Sequence, residues 1–306
     1  MPEEVMSNQE ASRLSCMWSF GLILMQFVVL TGSAHGASCA GAGLAQAPLW
    51  VWPLIAGCCL FAFGTELAVL TSAPSWQFKF SYTIPSTVMN IFDVCTDALA
   101  AGVMLASYNC EDCRLEAAWK QVAAKSALRV NIPLWSIALF AWLATLPQFL
   151  IPLFTDSHNS FVDLDLLGFE TIASLPEKTS DANSTQERFM FKFFLRLLAE
   201  NAFQIHVQIT IAGLSIALTG WTSAVYMMLV SIGTSSVMLL FKLCQLAPDV
   251  FAVFEMNKRD RFGKIVFFNG LLAAFVVVAY ALAKILALFV CPQHLLNYNG
   301  CAEFDV

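Results

Sequence analysis

The chain has 306 residues, of which 58% are hydrophobic and only 12% are charged, and its formal net charge is −6. Soluble domains carry about 25% charged residues, so this composition excludes an ordinary soluble protein. It predicts an all-α fold, namely a polytopic membrane helix bundle. No basic run is interleaved with aromatic residues in the way that nucleic-acid binding requires, so we expect no nucleic-acid partner.

Seven segments carry the roughly 20 predominantly apolar residues that a membrane-spanning helix needs. We therefore expect one transmembrane domain over residues 1–306, with a polar N-terminal tail (1–15) and a C-terminal tail (291–306). In chain order the apolar segments are 16–34, 48–71, 84–108, 132–154, 188–218, 221–247 and 265–290.

The first segment allows two interpretations. Its apolar core is followed by small residues, which is the pattern of a cleaved signal peptide. The leader before it, however, is acidic and has Arg13 as its single basic residue. A signal peptide starts with a positively charged region, so the sequence favours a retained helix.

The fourth segment contains Pro147, which predicts a kink because proline lacks a backbone N–H. The polar connection that follows it, 155–187, is acidic and carries the sequon Asn183-Ser-Thr. We expect this connection on the non-cytoplasmic side of the membrane, with Asn183 as a glycosylation candidate.

Two connections, 109–131 and 248–264, each carry four basic residues. Basic connections favour the cytoplasmic face, so both are expected there. Three complete crossings between them would place them on opposite faces. One intervening segment should therefore not cross fully, and we predict that 188–218 is broken, tilted or re-entrant because polar residues interrupt it.

Asp93 and Asp97 lie near the middle of the third segment, four residues apart and hence on one helix face. An aspartate at the centre of a spanning helix costs about 2.5–3.5 kcal/mol. The functional interpretation is a polar path or an ion-pair latch inside the membrane, with Thr96 adding a hydroxyl group. The structural alternative is that the two carboxyl groups are protonated, or bonded to backbone, and only tie helices together.

The fifth segment supplies candidate partners for these aspartates. Polar residues recur in it at intervals of four, and a further amide, Asn201, widens the stripe. We predict that Arg196 or Lys192 pairs with Asp93 or Asp97; the alternative is a helix lying at the membrane interface with a wet polar face. Glu66, in the second segment, is a candidate for the same network. The stripe consists of Lys192, Arg196, Glu200, Gln204 and Gln208.

The sequence shows no catalytic or metal-binding signature. It has no GxSxG, HExxH or phosphate-binding glycine loop, so we do not expect an enzyme. Cys110 and Cys113 form a lone CxxC, which is a weak metal signal without a second pair; loop thiols or a disulfide are the simpler interpretation. We expect no metal and no cofactor.

Two stretches resemble the XK-related family of phospholipid scramblases. One is the D-x-x-T-D arrangement at 93–97, and the other is E-N-A-F-Q-x-x-x-Q at 200–208, where Phe203 stands in place of the family's proline. The resemblance covers about 35 of the 306 residues. It implies a bundle of membrane helices, some not fully crossing, that moves phospholipids between leaflets without energy input.

Three functions remain open after the sequence alone. The first is lipid scrambling, with membrane lipids as partners. The second is an ion or small-solute channel or transporter that uses the same carboxylates. The third is a structural subunit, in which the buried charges meet a partner membrane protein or a second copy of the chain. Each implies a multi-pass protein of the plasma membrane or an endomembrane.

Overall fold

The computed structural model describes residues 8–39, 43–71, 83–110, 114–125, 132–154, 203–238 and 261–290. Within these ranges the fold is all-α, as the composition predicts, with one isolated β-bridge between Ser38 and Gln46. The helices are α1 (Asn8–Gly36), α2 (Val51–Thr71), α3 (Thr83–Asn109), α4 (Leu115–Lys125), α5 (Leu134–Leu143), α6 (Pro147–Phe154), α7 (Phe203–Thr219), α8 (Ser223–Met238) and α9 (Arg261–Val290).

Three helices, α1, α2 and α3, are long and apolar enough to cross a membrane. Four shorter apolar stretches lie in α5–α6, α7, α8 and α9. The described helices therefore suggest membrane association. The count of seven spans goes beyond them and remains a prediction.

The helix bounds depart from the sequence prediction in three places. Helix α1 begins at Asn8, so part of the predicted polar tail is helical, and Ala11 in this part is fully buried. Helix α4 lies in a connection where we predicted none; its sequence holds four alanines, two lysines and a glutamate, all of which favour helices. The described part of the fifth segment, α7, is one helix. Residues 155–202, which include Asn183, lie outside the described residues.

The kink predicted at Pro147 is a break between two helices in the structure. Helix α5 ends at Leu143, the N–H of Thr145 then bonds to the carbonyl of Trp142, and α6 begins at Pro147. Proline fits the first position of a helix because the N–H at that position has no partner within the helix. The fourth apolar segment is therefore two short helices.

Helix α3 is the centre of the bundle. It packs against α1, α2 and α5, and 78% of its most apolar stretch is buried, against 22% for that of α2. At Gly102 the approach of α1 is so close that a Cβ atom would lie 2.6 Å from the Leu30 carbonyl oxygen and 2.7 Å from Ser33 Cβ. Small residues permit this kind of close packing between membrane helices.

We expect Gly102→Ala to destabilise the bundle by about 1–3 kcal/mol, as overpacking does elsewhere, because the added methyl group meets backbone rather than a flexible side chain. Gly57→Ala is the matched control, since its Cβ would enter open space. Alanine favours a helix over glycine by about 1 kcal/mol, so the control should be neutral or stabilising. Thermal unfolding of the purified protein measures both, and equal effects would contradict the α1–α3 packing.

A disulfide between Cys39 and Cys110 joins the C-terminal ends of α1 and α3. We call this end of the bundle the disulfide end. At this disulfide end, Ala45 N–H donates to Ser107 Oγ and Leu44 N–H donates to Ser215 Oγ. Helix α7 therefore runs in the same direction as α1 and α3. The sequence left Cys110 as a loop thiol or a disulfide partner; the structure assigns it to Cys39.

The described residues of the two basic connections lie at opposite ends of the bundle. Arg114 and Lys120 follow α3 at the disulfide end. Helix α9 approaches that end with its C-terminus, because Phe289 stacks on Trp221 just after α7, so its first residue, Arg261, lies at the other end. This arrangement corrects the expectation that both connections share one face.

Candidate functional site

The carboxyl group of Asp97 is held between three helices. Its side chain is 1% exposed, and Oδ1 accepts hydrogen bonds from Ser231 Oγ in α8 at 2.8 Å and from Gln208 Nε2 in α7 at 3.2 Å. These two hydrogen bonds link α3 at Asp97 to α7 and to α8.

Asp93 lies one turn earlier and is held by α8 in the same way. Its side chain is 5% exposed, and Oδ1 accepts a hydrogen bond from Ser235 Oγ at 2.6 Å. Thr96 donates instead to the backbone carbonyl of Asp93 at 2.9 Å, so its hydroxyl does not reach the carboxylates. Because Ser231 meets Asp97 and Ser235 meets Asp93, α8 runs antiparallel to α3.

A third carboxyl group continues the polar line toward the start of α3. Glu66 in α2 is fully buried, and its Oε1 accepts a hydrogen bond from Thr87 Oγ1 at 3.1 Å. Asn90, 3% exposed, lies between Thr87 and the aspartates on the same helix. We call the set Glu66, Thr87, Asn90, Asp93, Asp97, Gln208, Ser231 and Ser235 the polar column.

The structure brings some of the predicted site residues together and leaves others undescribed. Gln208 contacts Asp97 as part of the predicted stripe. Gln204 is also buried, and its Oε1 has no hydrogen-bond partner among the described residues. The other members, which include both cations predicted to pair with the aspartates, lie outside the described residues: Lys192, Arg196, Glu200 and Asn201.

Sequence reasoning missed the two serines that hold the aspartates. Ser231 and Ser235 lie four residues apart in an apolar segment, the same spacing as Asp93 and Asp97. Two polar pairs with equal spacing on two helices fit an antiparallel contact, since residues four apart share a face. That matching spacing was the available signal.

Ser231→Ala should lower the stability of the protein, because it removes a donor from a buried carboxyl group and leaves that group under-solvated at a cost of about 1–3 kcal/mol. Ser236→Ala is the matched control: Ser236 is a buried serine of the same helix, but its hydroxyl bonds to the Ile232 carbonyl one turn away. Thermal unfolding in detergent should show a lower midpoint only for Ser231→Ala. An equal loss in both variants would contradict a supporting role for the Asp97 contact.

The polar column presents carboxylate, hydroxyl and amide groups inside a bundle of apolar helices. Such groups can solvate a lipid headgroup or a cation at a depth where water is excluded. In the described part of the chain, no group of three or more histidine, cysteine or acidic residues is placed to hold a metal ion. Comparisons with protein-family models, with curated proteins and with solved structures find no match to the chain, so its function is inferred from these residues.

Proposed function

We propose that the chain is a multi-pass membrane protein of about seven helices that moves phospholipids between leaflets, without energy input, along the polar column. The observation that carries the proposal is the succession of buried polar side chains along α3. Thr87 and Asp97 are ten residues apart, about 15 Å along a helix, with Asn90 and Asp93 between them. This distance is about half of the hydrocarbon thickness of a bilayer.

A lipid headgroup needs such a column because polar groups are costly in hydrocarbon. An unsatisfied polar group there costs several kcal/mol, whereas carboxylate oxygens can accept hydrogen bonds from a passing headgroup and hydroxyl groups can donate to it. No nucleophile or energy source is required. The resemblance of 93–97 and 200–208 to XK-related scramblases supports the same assignment.

The column is closed in the present conformation, since Asp93 and Asp97 are almost completely buried. Opening it requires α8 to move away from α3 and to break the serine–aspartate hydrogen bonds. We therefore propose that α8 is the mobile wall of the path and that Ser231 and Ser235 hold it shut.

A second candidate function is the passage of a cation or proton along the same column. The observation that favours it is the chemistry around the aspartates, where hydroxyl and amide groups surround two carboxyl groups. Carboxylate, amide and hydroxyl oxygens are the ligands that hard cations take.

Reconstitution distinguishes these functions. The purified full-length protein is placed in liposomes that carry a fluorescent phospholipid, and a quencher is added outside. Lipid movement is supported when the quenched fraction rises from about half, as expected for two equal leaflets, toward completion. Ion flux without lipid equilibration would favour the second candidate, and neither activity would favour a structural subunit of the plasma membrane or an endomembrane.

A further inference from the structure

Three polar side chains meet on the outer surface of the bundle, away from the polar column. His206 in α7 is exposed, and its Nδ1 hydrogen-bonds with the hydroxyl group of Tyr280 in α9. The two rings lie 5.7 Å apart. Lys284, one turn further along α9, places its Nζ 5.7 Å from the centre of the Tyr280 ring.

Lys284 points toward the middle of α9 rather than toward its nearer end. It lies six residues before Val290, about 9 Å from the end of the helix. Helical side chains lean toward the N-terminus of their helix. The side chain of Lys284 leans in this direction, because its Nζ lies over the ring of Tyr280, four residues earlier. Snorkelling to the nearer membrane edge, the simple explanation for a lone lysine in this segment, would take Nζ away from Tyr280.

An ammonium ion at this depth requires compensation. A cation–π contact returns only part of the cost of placing a lysine in hydrocarbon. Among the residues that the structure describes, no carboxylate forms an ion pair with Lys284. Large apolar side chains are exposed on the other faces of α9, as on a lipid-facing surface: Phe275, Val276, Leu282 and Leu286.

We propose that His206, Tyr280 and Lys284 form a binding site for the phosphate group of an anionic phospholipid on the outer surface of α7 and α9. With the Tyr280 hydroxyl donating to Nδ1, the Nε2–H of His206 is a donor that can point outward. It and the Lys284 ammonium group supply two donors for the two free oxygens of a phosphodiester. The inference requires α9 to lie in a bilayer, but it does not depend on lipid movement along the polar column.

Native mass spectrometry of the full-length protein tests the proposal, with phosphatidylglycerol, phosphatidylcholine and inorganic phosphate titrated separately. We expect phosphatidylglycerol to bind most tightly and Lys284→Gln to weaken it by about tenfold or more, as loss of a charged hydrogen bond does. Lys120→Gln is the matched control, because Lys120 is exposed and paired with Glu116. His206→Phe, which keeps a ring but loses both nitrogens, should also weaken binding and provides a second test if Lys284→Gln does not fold.

Three results would overturn the proposal. One is equal phosphatidylglycerol binding by the Lys284→Gln and Lys120→Gln variants. Another is competition by inorganic phosphate at the same concentration as the lipid, which would mean that the site takes a free anion. The third is loss of an oligomer in Lys284→Gln without any change in lipid binding, which would assign the lysine to an acidic residue of a partner helix.

Discussion

The double substitution Asp93→Asn/Asp97→Asn is expected to slow lipid equilibration in liposomes by about tenfold or more. A hydrogen bond to a charged group is worth about 1.5–3 kcal/mol and a neutral one about 0.5–1.5 kcal/mol. Neutralising both carboxyl groups should therefore remove about 2 kcal/mol of stabilisation from a headgroup in the column, and 1.4 kcal/mol is a factor of ten. Asparagine keeps the size of each side chain and an oxygen for Ser231 and Ser235.

The matched control for this variant is Glu116→Gln, which makes the same change of carboxylate to amide outside the column. Glu116 lies in α4, where its Oε2 accepts a hydrogen bond from the N–H of Leu134, and glutamine retains an oxygen for that bond. We expect an unchanged rate for the control. A faster rate in the double aspartate variant would show that weakening the serine–aspartate bonds that close the path outweighs the lost stabilisation of the headgroup. An unchanged rate would remove the carboxyl groups from the path.

Each variant must first be shown to fold, because the aspartates also join helices. Size-exclusion elution and the thermal midpoint report the fold, and ion flux measured in the same liposomes separates the two candidate functions. If the lipid rate is unchanged while ion flux falls in the double variant, the column serves cations rather than lipids.

The placement of the polar column follows in part from the sequence. The four-residue spacing of Asp93 and Asp97 and the cost of carboxyl groups in hydrocarbon predict a face buried inside a bundle, and both side chains are buried. The neighbour of Asp97 on α7, Gln208, belongs to the predicted stripe. The ion pair predicted for Lys192 or Arg196 lies outside the described residues and stays a prediction.

Other features required the three-dimensional arrangement. Spacing along one helix does not tell which helix lies opposite, so the contact of α8 with α3 and its two serines could not be assigned from the sequence alone. The pairing of Cys39 with Cys110 spans 71 residues, and sequence alone does not give disulfide connectivity. The prediction that both basic connections lie on one face was wrong because it used only the number of basic residues in each connection. The face also depends on which helices run parallel, and the sequence does not show this.

Loss of the Cys39–Cys110 disulfide should destabilise the protein by up to about 4.4 kcal/mol, the chain-entropy value for a closed loop of this length. Reductant or Cys39→Ser should lower the thermal midpoint equally, because both open the same bridge. The double variant Cys39→Ser/Cys110→Ser should then lose no more than either single variant, and reductant should have no further effect on it. Additive losses would contradict the pairing.

The same disulfide predicts the orientation of the chain in its membrane. Disulfides form in oxidising compartments such as the ER lumen and the cell exterior, so the disulfide end should face the lumen or the exterior and the start of α1 should face the cytoplasm. The described basic residues at the opposite end, Arg13, Arg261 and Lys264, agree with the bias of basic residues to the cytoplasmic side. Arg114 and Lys120, at the disulfide end, do not follow this bias.

Protease protection in microsomes measures this orientation. An epitope inserted after Leu49, which is 84% exposed in the connection that begins at the disulfide end, should be protected until detergent is added. The same epitope at the N-terminus should be digested at once, and it serves as the control for access. Digestion of the Leu49 epitope in sealed microsomes would show that the chain has the opposite orientation. It would also leave the Cys39–Cys110 bridge in a reducing compartment, where it would not persist, so the gel mobility of the same sample with and without reductant tests both conclusions together.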